Sequence, residues 1–99
     1  MEAYFIISYD IVDFETFQNY PPAVLGILQQ YGGELLVSDT DAVVIEGERK
    51  MMHAIIKFPS QEMAMECFNS EEYQAVRAFR VNSTKDNTVI MAKAFNPNA

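Results

Sequence analysis

The sequence predicts an α+β domain in which strands and helices alternate in the order β-α-β-β-α-β. Two observations carry most of that reading. Residues 3–9 (AYFIISY) and 51–58 (MMHAIIKF) are runs of strand length, rich in apolar, β-branched and aromatic side chains. Between and after them, apolar residues recur at steps of three and four, from Phe14 to Tyr31 and again from Met63 to Phe68, as on a helix that buries one face. A chain of 99 residues holds one core and not two, so positions 1–99 are read as a single domain.

The first strand, residues 3–9, is apolar on both faces. Asp13 is placed to cap the following helix, with Glu15 near the positive end of its dipole. The stripe Phe14, Phe17, Tyr20, Val24, Leu28, Tyr31 would make one long helix, but Pro21-Pro22 falls inside it. Proline donates no backbone hydrogen bond and turns the preceding residue away from helical geometry, so two half-helices are expected, with Pro22 in the first turn of the second. Gly32-Gly33 supplies the stop. Residues 34–38 (ELLVS) and 42–46 (AVVIE) read as short strand pieces on either side of an Asp-Thr-Asp turn, followed by the polar turn 47–50 and the strand 51–58. Pro59 ends that strand. Ser60 caps a helix whose buried stripe is Met63, Ala64, Cys67 and Phe68, and Ser70 caps another with Glu71 and Glu72 at its start and Arg77 and Arg80 toward its end. Residues 87–94 (NTVIMAKA) form the last strand, and 96–99 read as a loose tail.

This order is the ferredoxin-like arrangement, an antiparallel sheet with helices on one face. Its other face is open and in water should be polar. If Phe5, Ile7 and Ile56 face the helices, the open face still carries Tyr4, Ile6, Met51, Ile55, Val89 and Met91. So much apolar surface marks an interface, and a second copy packed sheet to sheet would cover it. A homodimer through the sheet face is therefore expected.

The ordered set Tyr31-Gly32-Gly33, Ile45-Glu46-Gly47, Phe58-Pro59-Ser60, Asn69-Ser70-Glu71-Glu72-Tyr73-Gln74 and Arg80 resembles the dimeric α/β-barrel family known as domain of unknown function 1330. The resemblance runs from Ala3 to Ala94. It implies the ferredoxin-like fold and a sheet-to-sheet dimer, but no agreed activity; the wider superfamily includes cofactor-free monooxygenases, lactone isomerases and haem-degrading enzymes. Lys57 stands where the family usually has an acid, and Asp39-Thr40-Asp41 where it usually has a glycine pair.

Composition narrows the partners. The net charge is −7, with no cluster of Lys or Arg, which speaks against nucleic acid and against an anionic membrane surface. No apolar run approaches the roughly 20 residues of a membrane span, and the acidic N-terminus lacks the basic start of a secretory signal. Cys67 is the single cysteine, so no internal disulfide forms. These features fit a cytoplasmic protein. Cys67 lies in an apolar helical stripe and reads as a small buried hydrophobe before a nucleophile. One His and one Cys on different elements give no metal-ligand spacing, and no phosphate loop, nucleophile elbow or dinucleotide fingerprint is present. No cofactor is expected.

Two groups of residues are candidates for a site. Alternation along the strands puts Tyr4, Ser8, His53, Lys57 and Lys93 on one face, where imidazole, phenol and ammonium could orient a small anionic or enolic ligand; the alternative is that the lysines reach the rim and His53 is an interface residue. The second group is Tyr20, Tyr73, Arg77 and Arg80. Arg80 could hold a carboxylate, or tie the helix end to Glu46. Two functions follow. One is a binder of a small apolar, aromatic or anionic molecule in each subunit, with possible cofactor-free monooxygenase- or isomerase-like chemistry in which His53 is the base and Tyr4 or Tyr73 a hydrogen-bond donor. The other is a non-catalytic dimeric interaction module without a ligand.

Overall fold

The computed structural model describes residues 1–98; Ala99, the last residue of the expected tail, lies outside the described residues. The elements are β1 (Ala3–Ile11), α1 (Phe14–Phe17), α2 (Tyr20–Gln30), β2 (Glu34–Asp39), β3 (Met52–Phe58), α3 (Gln61–Asn69), α4 (Glu71–Val81) and β4 (Thr84–Lys93). The strands form one antiparallel sheet in the order β2-β3-β1-β4, the ferredoxin-like topology, with the helices on one face. The molecule is thin, 17 Å along its shortest Cα dimension, as a single helix layer on a single sheet must be.

The capping residues act as their chemistry requires. The Asp13 carboxylate accepts hydrogen bonds from the backbone N–H and the hydroxyl of Thr16, which holds its carboxyl below the usual range. Ser60 accepts from the Met63 N–H and Ser70 from the Tyr73 N–H. The helical stripe breaks between Phe17 and Tyr20, and the prolines sit in the first turn of α2, where missing N–H groups cost nothing. Gly32, at φ 72°, takes the left-handed conformation that turns the chain from α2 into β2.

Strand pairing decides which side chains share a face. Ala3, Phe5, Phe58 and Ile56 point at the helices, and the Phe5 and Phe58 rings meet edge to face at 5.2 Å. Phe5, Ile56 and Phe58 join Val24, Ile27, Leu28, Ala64, Cys67 and Tyr73 in the main core. On the open face the register lines up Val37, Ile55, Ile6 and Ile90 in one row across all four strands. A polar row lies on each side of it: Glu34, Lys57, Tyr4 and Ala92 on one, Asp39, His53, Ser8 and Thr88 on the other.

Several expectations need correction. Val89 and Met91 pair with Ile7 and Phe5, and Lys93 with Ala3, so all three belong to the helix side of the sheet; Ile90 and Ala92 occupy the open face instead. Residues 42–46 are not a strand. They lie in the long connection between β2 and β3, and Val43 and Ile45 are 83% and 86% exposed. Their β-branched sequence finds no strand beside it, and propensity without a partner makes no sheet. Met51 precedes β3 and packs against the cluster of Tyr9, Ile11, Phe17 and Met52. β1 reaches Ile11 and β4 begins at Thr84, further than expected, through a bulge marked by Asp86 at φ 54°.

Candidate functional site

A cavity of about 100 Å³ lies on the helix side of the sheet. Its walls follow from the patterns already described. Residues two apart on a strand share a face, so Ile7 and Tyr9 of β1 and Met52, Ala54 and Ile56 of β3 line one side. The stripe Phe17, Tyr20, Val24, Leu28 brings α1 and α2 over the other side, while exposed Pro21, Leu25 and Leu35 stand at the edge, between α2 and β2. Among the described residues that line it only Arg80 of α4 is charged, and it is 4% exposed.

Arg80 reaches the cavity because it stands seven residues, close to two helical turns, after Tyr73 on the inner face of α4. Its guanidinium donates to the Asn87 side-chain oxygen and lies 6.0 Å from the Tyr9 ring centre and 5.9 Å from that of Tyr20. No carboxylate pairs with it among the described residues. Burial opposes its charge, but the Tyr73 and Tyr20 phenols beside it outweigh that, and the group stays a cation. Arg80 is thus fixed by Asn87 of β4 and not by Glu46, which lies in the exposed β2–β3 connection.

The phenols are equally constrained. The Tyr20 and Tyr73 hydroxyls lie 2.9 Å apart. Burial, reinforced by Tyr73, pushes the Tyr20 phenol well above its ordinary value, and burial pushes Tyr9 up to about 12 despite the opposing pull of Arg80. Both are therefore protonated donors at neutral pH. Phe17 lies between them, 5.8 Å from Tyr9 and 6.1 Å from Tyr20 by ring centre, so three aromatic rings line the site next to the cation.

The two expected groups fall on opposite faces of the sheet. Tyr20, Tyr73 and Arg80 come together as described. Arg77, four residues after Tyr73, turns away and stacks on Phe68 at 5.7 Å, leaving its buried Nε without a partner among the described residues. Tyr4, Ser8, His53 and Lys57 lie on the open face, but the apolar row separates Tyr4 and Lys57 from Ser8 and His53. The Lys57 ammonium sits 3.3 Å from Glu34 and 3.5 Å from Glu2, and the hydrogen bond to Glu34 raises its pKa most. Its charge is already matched. His53 borders a second, more polar hollow of about 240 Å³ with residues 42–46, Glu48 and Arg49. Lys93 is on the other face, and Tyr73 cannot assist His53 through the sheet. Cys67 is buried, with its thiol pushed up to about 11 by that burial, and is no nucleophile in this state.

Tyr9 and Asn87 were not legible as site residues. A tyrosine ending an apolar run, and an asparagine at the start of the last strand seven residues beyond Arg80, are the signals that would have pointed to them. Among the described residues no three His, Cys, Asp or Glu side chains gather as metal ligands, and no helix is long and apolar enough to cross a membrane.

An antiparallel sheet with helices on one face, an apolar row on the other and a cavity between its layers defines a ferredoxin-like α+β protein. The family model described as "Domain of unknown function (DUF1330)" matches residues 2–94, and the chain belongs to that family. No curated protein matches the sequence. Among solved structures, a protein of unknown function from Rhodopseudomonas palustris is similar at TM-score 0.82 and 15% identity, covering 97% of this chain and 84% of that one. A dimeric ferredoxin-like protein of unknown function from Jannaschia sp. is similar at TM-score 0.78 and 9% identity, over 95% of this chain and 100% of that one. A cofactor-independent oxygenase from Streptomyces nogalater is similar at TM-score 0.67 and 11% identity, over 96% and 94%. At these identities the likeness is one of fold.

Proposed function

We propose that the protein is a homodimeric cytoplasmic binder of a small organic molecule, one per subunit, held in the cavity between the sheet and α1, α2 and α4. The observation that carries this reading is the cavity itself. A core of this size normally closes around its side chains, yet this one keeps about 100 Å³ open beside a buried guanidinium and two tyrosines. A dry apolar cavity of roughly 150 Å³ takes up benzene, and this smaller hollow opens outward at its Pro21, Leu25 and Leu35 edge. The same opening counts against a ligand-free interaction module, whose layers would be filled. The homodimer is supported by the apolar row on the open face and by the Jannaschia neighbour's description as dimeric.

Support for cofactor-free oxygenation or isomerisation comes from shared fold alone, as with the Streptomyces nogalater oxygenase. Against it, among the described residues neither a carboxylate nor an imidazole lines the cavity, and its phenols are too weakly acidic to act as bases near neutrality. Binding is therefore the function assigned.

Calorimetric titration of the wild type with small aromatic and branched aliphatic compounds, repeated on Ala54→Leu, tests the assignment. Saturable binding that the filled variant loses is the expected result. Failure of every compound to bind, or equal binding by Ala54→Leu, would overturn it.

A further inference from the structure

We propose that the cavity's ligand is a small monocarboxylic acid with an apolar, preferably aromatic, body, its carboxylate on Arg80 and its body among the rings of Tyr9, Phe17 and Tyr20. This rests on the cavity being the ligand site.

The argument starts from the buried cation. A guanidinium has five N–H donors in a planar fork. The Asn87 oxygen takes a bond from one of its nitrogens, the Tyr73 and Tyr20 hydroxyls lie within its reach, and the Tyr9 and Tyr20 rings offer their π faces, but every one of these partners is neutral. No anion pairs with it among the described residues, although it is 4% exposed. Buried charge without a counter-charge is costly, and a carboxylate is the group that meets the guanidinium fork with two parallel bonds.

The phenols extend the same arrangement. Two hydroxyls 2.9 Å apart share one proton between their oxygens, so the other proton is free to point elsewhere. With Tyr73 donating to Tyr20, the Tyr20 hydroxyl on the cavity wall donates to the ligand. The Tyr9 hydroxyl has no partner among the described residues and supplies another donor from β1.

The rest of the lining sets the size and charge of the ligand. One cation and no second basic group match one negative charge; a phosphate ester, with its larger charge and three acceptor oxygens, would leave charge uncompensated. Ile7, Val24, Leu28, Met52 and Ile56 offer an acid's body apolar contact and no hydrogen bonds, and the limited room admits a single ring or a short branched chain.

Benzoate and phenylacetate, with benzamide as the neutral counterpart, are the probes. Calorimetry at pH 7 on the wild type should show an acid binding more tightly than the amide by on the order of tenfold or more, as a charge-assisted pair requires. Arg80→Met should bring the acid down to the level of the amide, and Tyr20→Phe should weaken the acid several-fold. Should Arg80→Met fail to fold, the wild-type acid-to-amide comparison and Tyr20→Phe still decide. If the amide binds as well as the acids, the carboxylate assignment is wrong while the cavity remains a ligand site. If neither acid nor amide binds, and no other compound does, the cavity reading falls and this assignment with it.

Discussion

The hydroxyls of Tyr20 and Tyr73 meet at 2.9 Å, a hydrogen bond that joins α2 to α4 beside the Arg80 guanidinium. Fifty-three residues separate the two in sequence, so the bond reports tertiary docking and not local structure. Tyr73 is buried against Phe68, at 5.4 Å between ring centres, whereas Tyr20 borders the cavity. The two partners should therefore respond unequally to its loss.

Tyr73→Phe leaves a Tyr20 hydroxyl that can turn to the cavity, and should cost about 0.5–1.5 kcal/mol. Tyr20→Phe strands the buried Tyr73 oxygen and should cost more, about 1–3 kcal/mol. Urea unfolding of both singles and the double mutant measures the coupling. Strict additivity would mean that the bond contributes nothing.

Alkaline pH should weaken the fold through three buried acids, Cys67, Tyr9 and Tyr20, whose protons the native state holds more tightly than the unfolded chain does. Burial, aided by the Glu72 charge, raises the Cys67 thiol from 9.0 to about 11, and burial raises Tyr9 from 10.0 to about 12. All three are neutral when protonated, and the unfolded chain gives up these protons first. Their contribution is complete below pH 9 and falls as the pH rises from 9 toward 12, where the native state holds more protons than the unfolded one. The loss is at most on the order of 2–3 kcal/mol for each of Cys67 and Tyr9. Unfolding free energies measured from pH 7 to 11 should fall above pH 9, and Cys67→Ala should flatten the first part of that fall. A Cys67→Ala profile parallel to wild type would dismiss the thiol as its cause.

The helix caps, the Pro21-Pro22 break and the Gly32 stop were legible because each is a local rule written in one or two residues. The stripe Phe17, Tyr20, Val24, Leu28 was legible for the same reason. Strand register was not. In β4, Val89, Ile90 and Met91 are apolar in succession, so alternation gives no phase, and only pairing with Ile7, Ile6 and Phe5 shows which of them face the helices. Residues 42–46 carry strand propensity and lack a neighbouring strand. For the site, the sequence held Tyr20, Tyr73 and Arg80 as one group, but not Tyr9, which reads as core, nor the space left between them, which depends on how three elements dock.

Lys57 should matter little to either role. Its two carboxylate partners, Glu2 and Glu34, are solvent-accessible. Solvent screens pairs of this kind, so they contribute little to stability. Lys57→Ala should leave the unfolding midpoint nearly where it was and benzoate affinity unchanged, since Lys57 lies on the face opposite the cavity. A clear loss of affinity would return the ligand site to the open face.

The open face itself gives the prediction on assembly. Val37, Ile55, Ile6 and Ile90 form one apolar band, and Ile6 and Ile90 remain 44% and 52% exposed in the single subunit. The polar rows beside it, Glu34-Lys57-Tyr4 and Asp39-His53-Ser8, have the composition of an interface rim around an apolar centre. Ile6 sits in the middle of the band, between Ile55 and Ile90. In an isolated subunit an aspartate there would keep its water and cost little. In a sheet-to-sheet dimer it would be buried without a counter-charge, at a cost of about 3–5 kcal/mol for each copy. Wild type should therefore scatter light as twice 11.3 kDa at low micromolar concentration. Ile6→Asp should scatter as a folded monomer with unchanged circular dichroism. Val12→Asp, at an exposed position between β1 and α1, should leave the mass at the dimer value. A dimeric Ile6→Asp would place the interface elsewhere, and a monomeric wild type would remove it altogether.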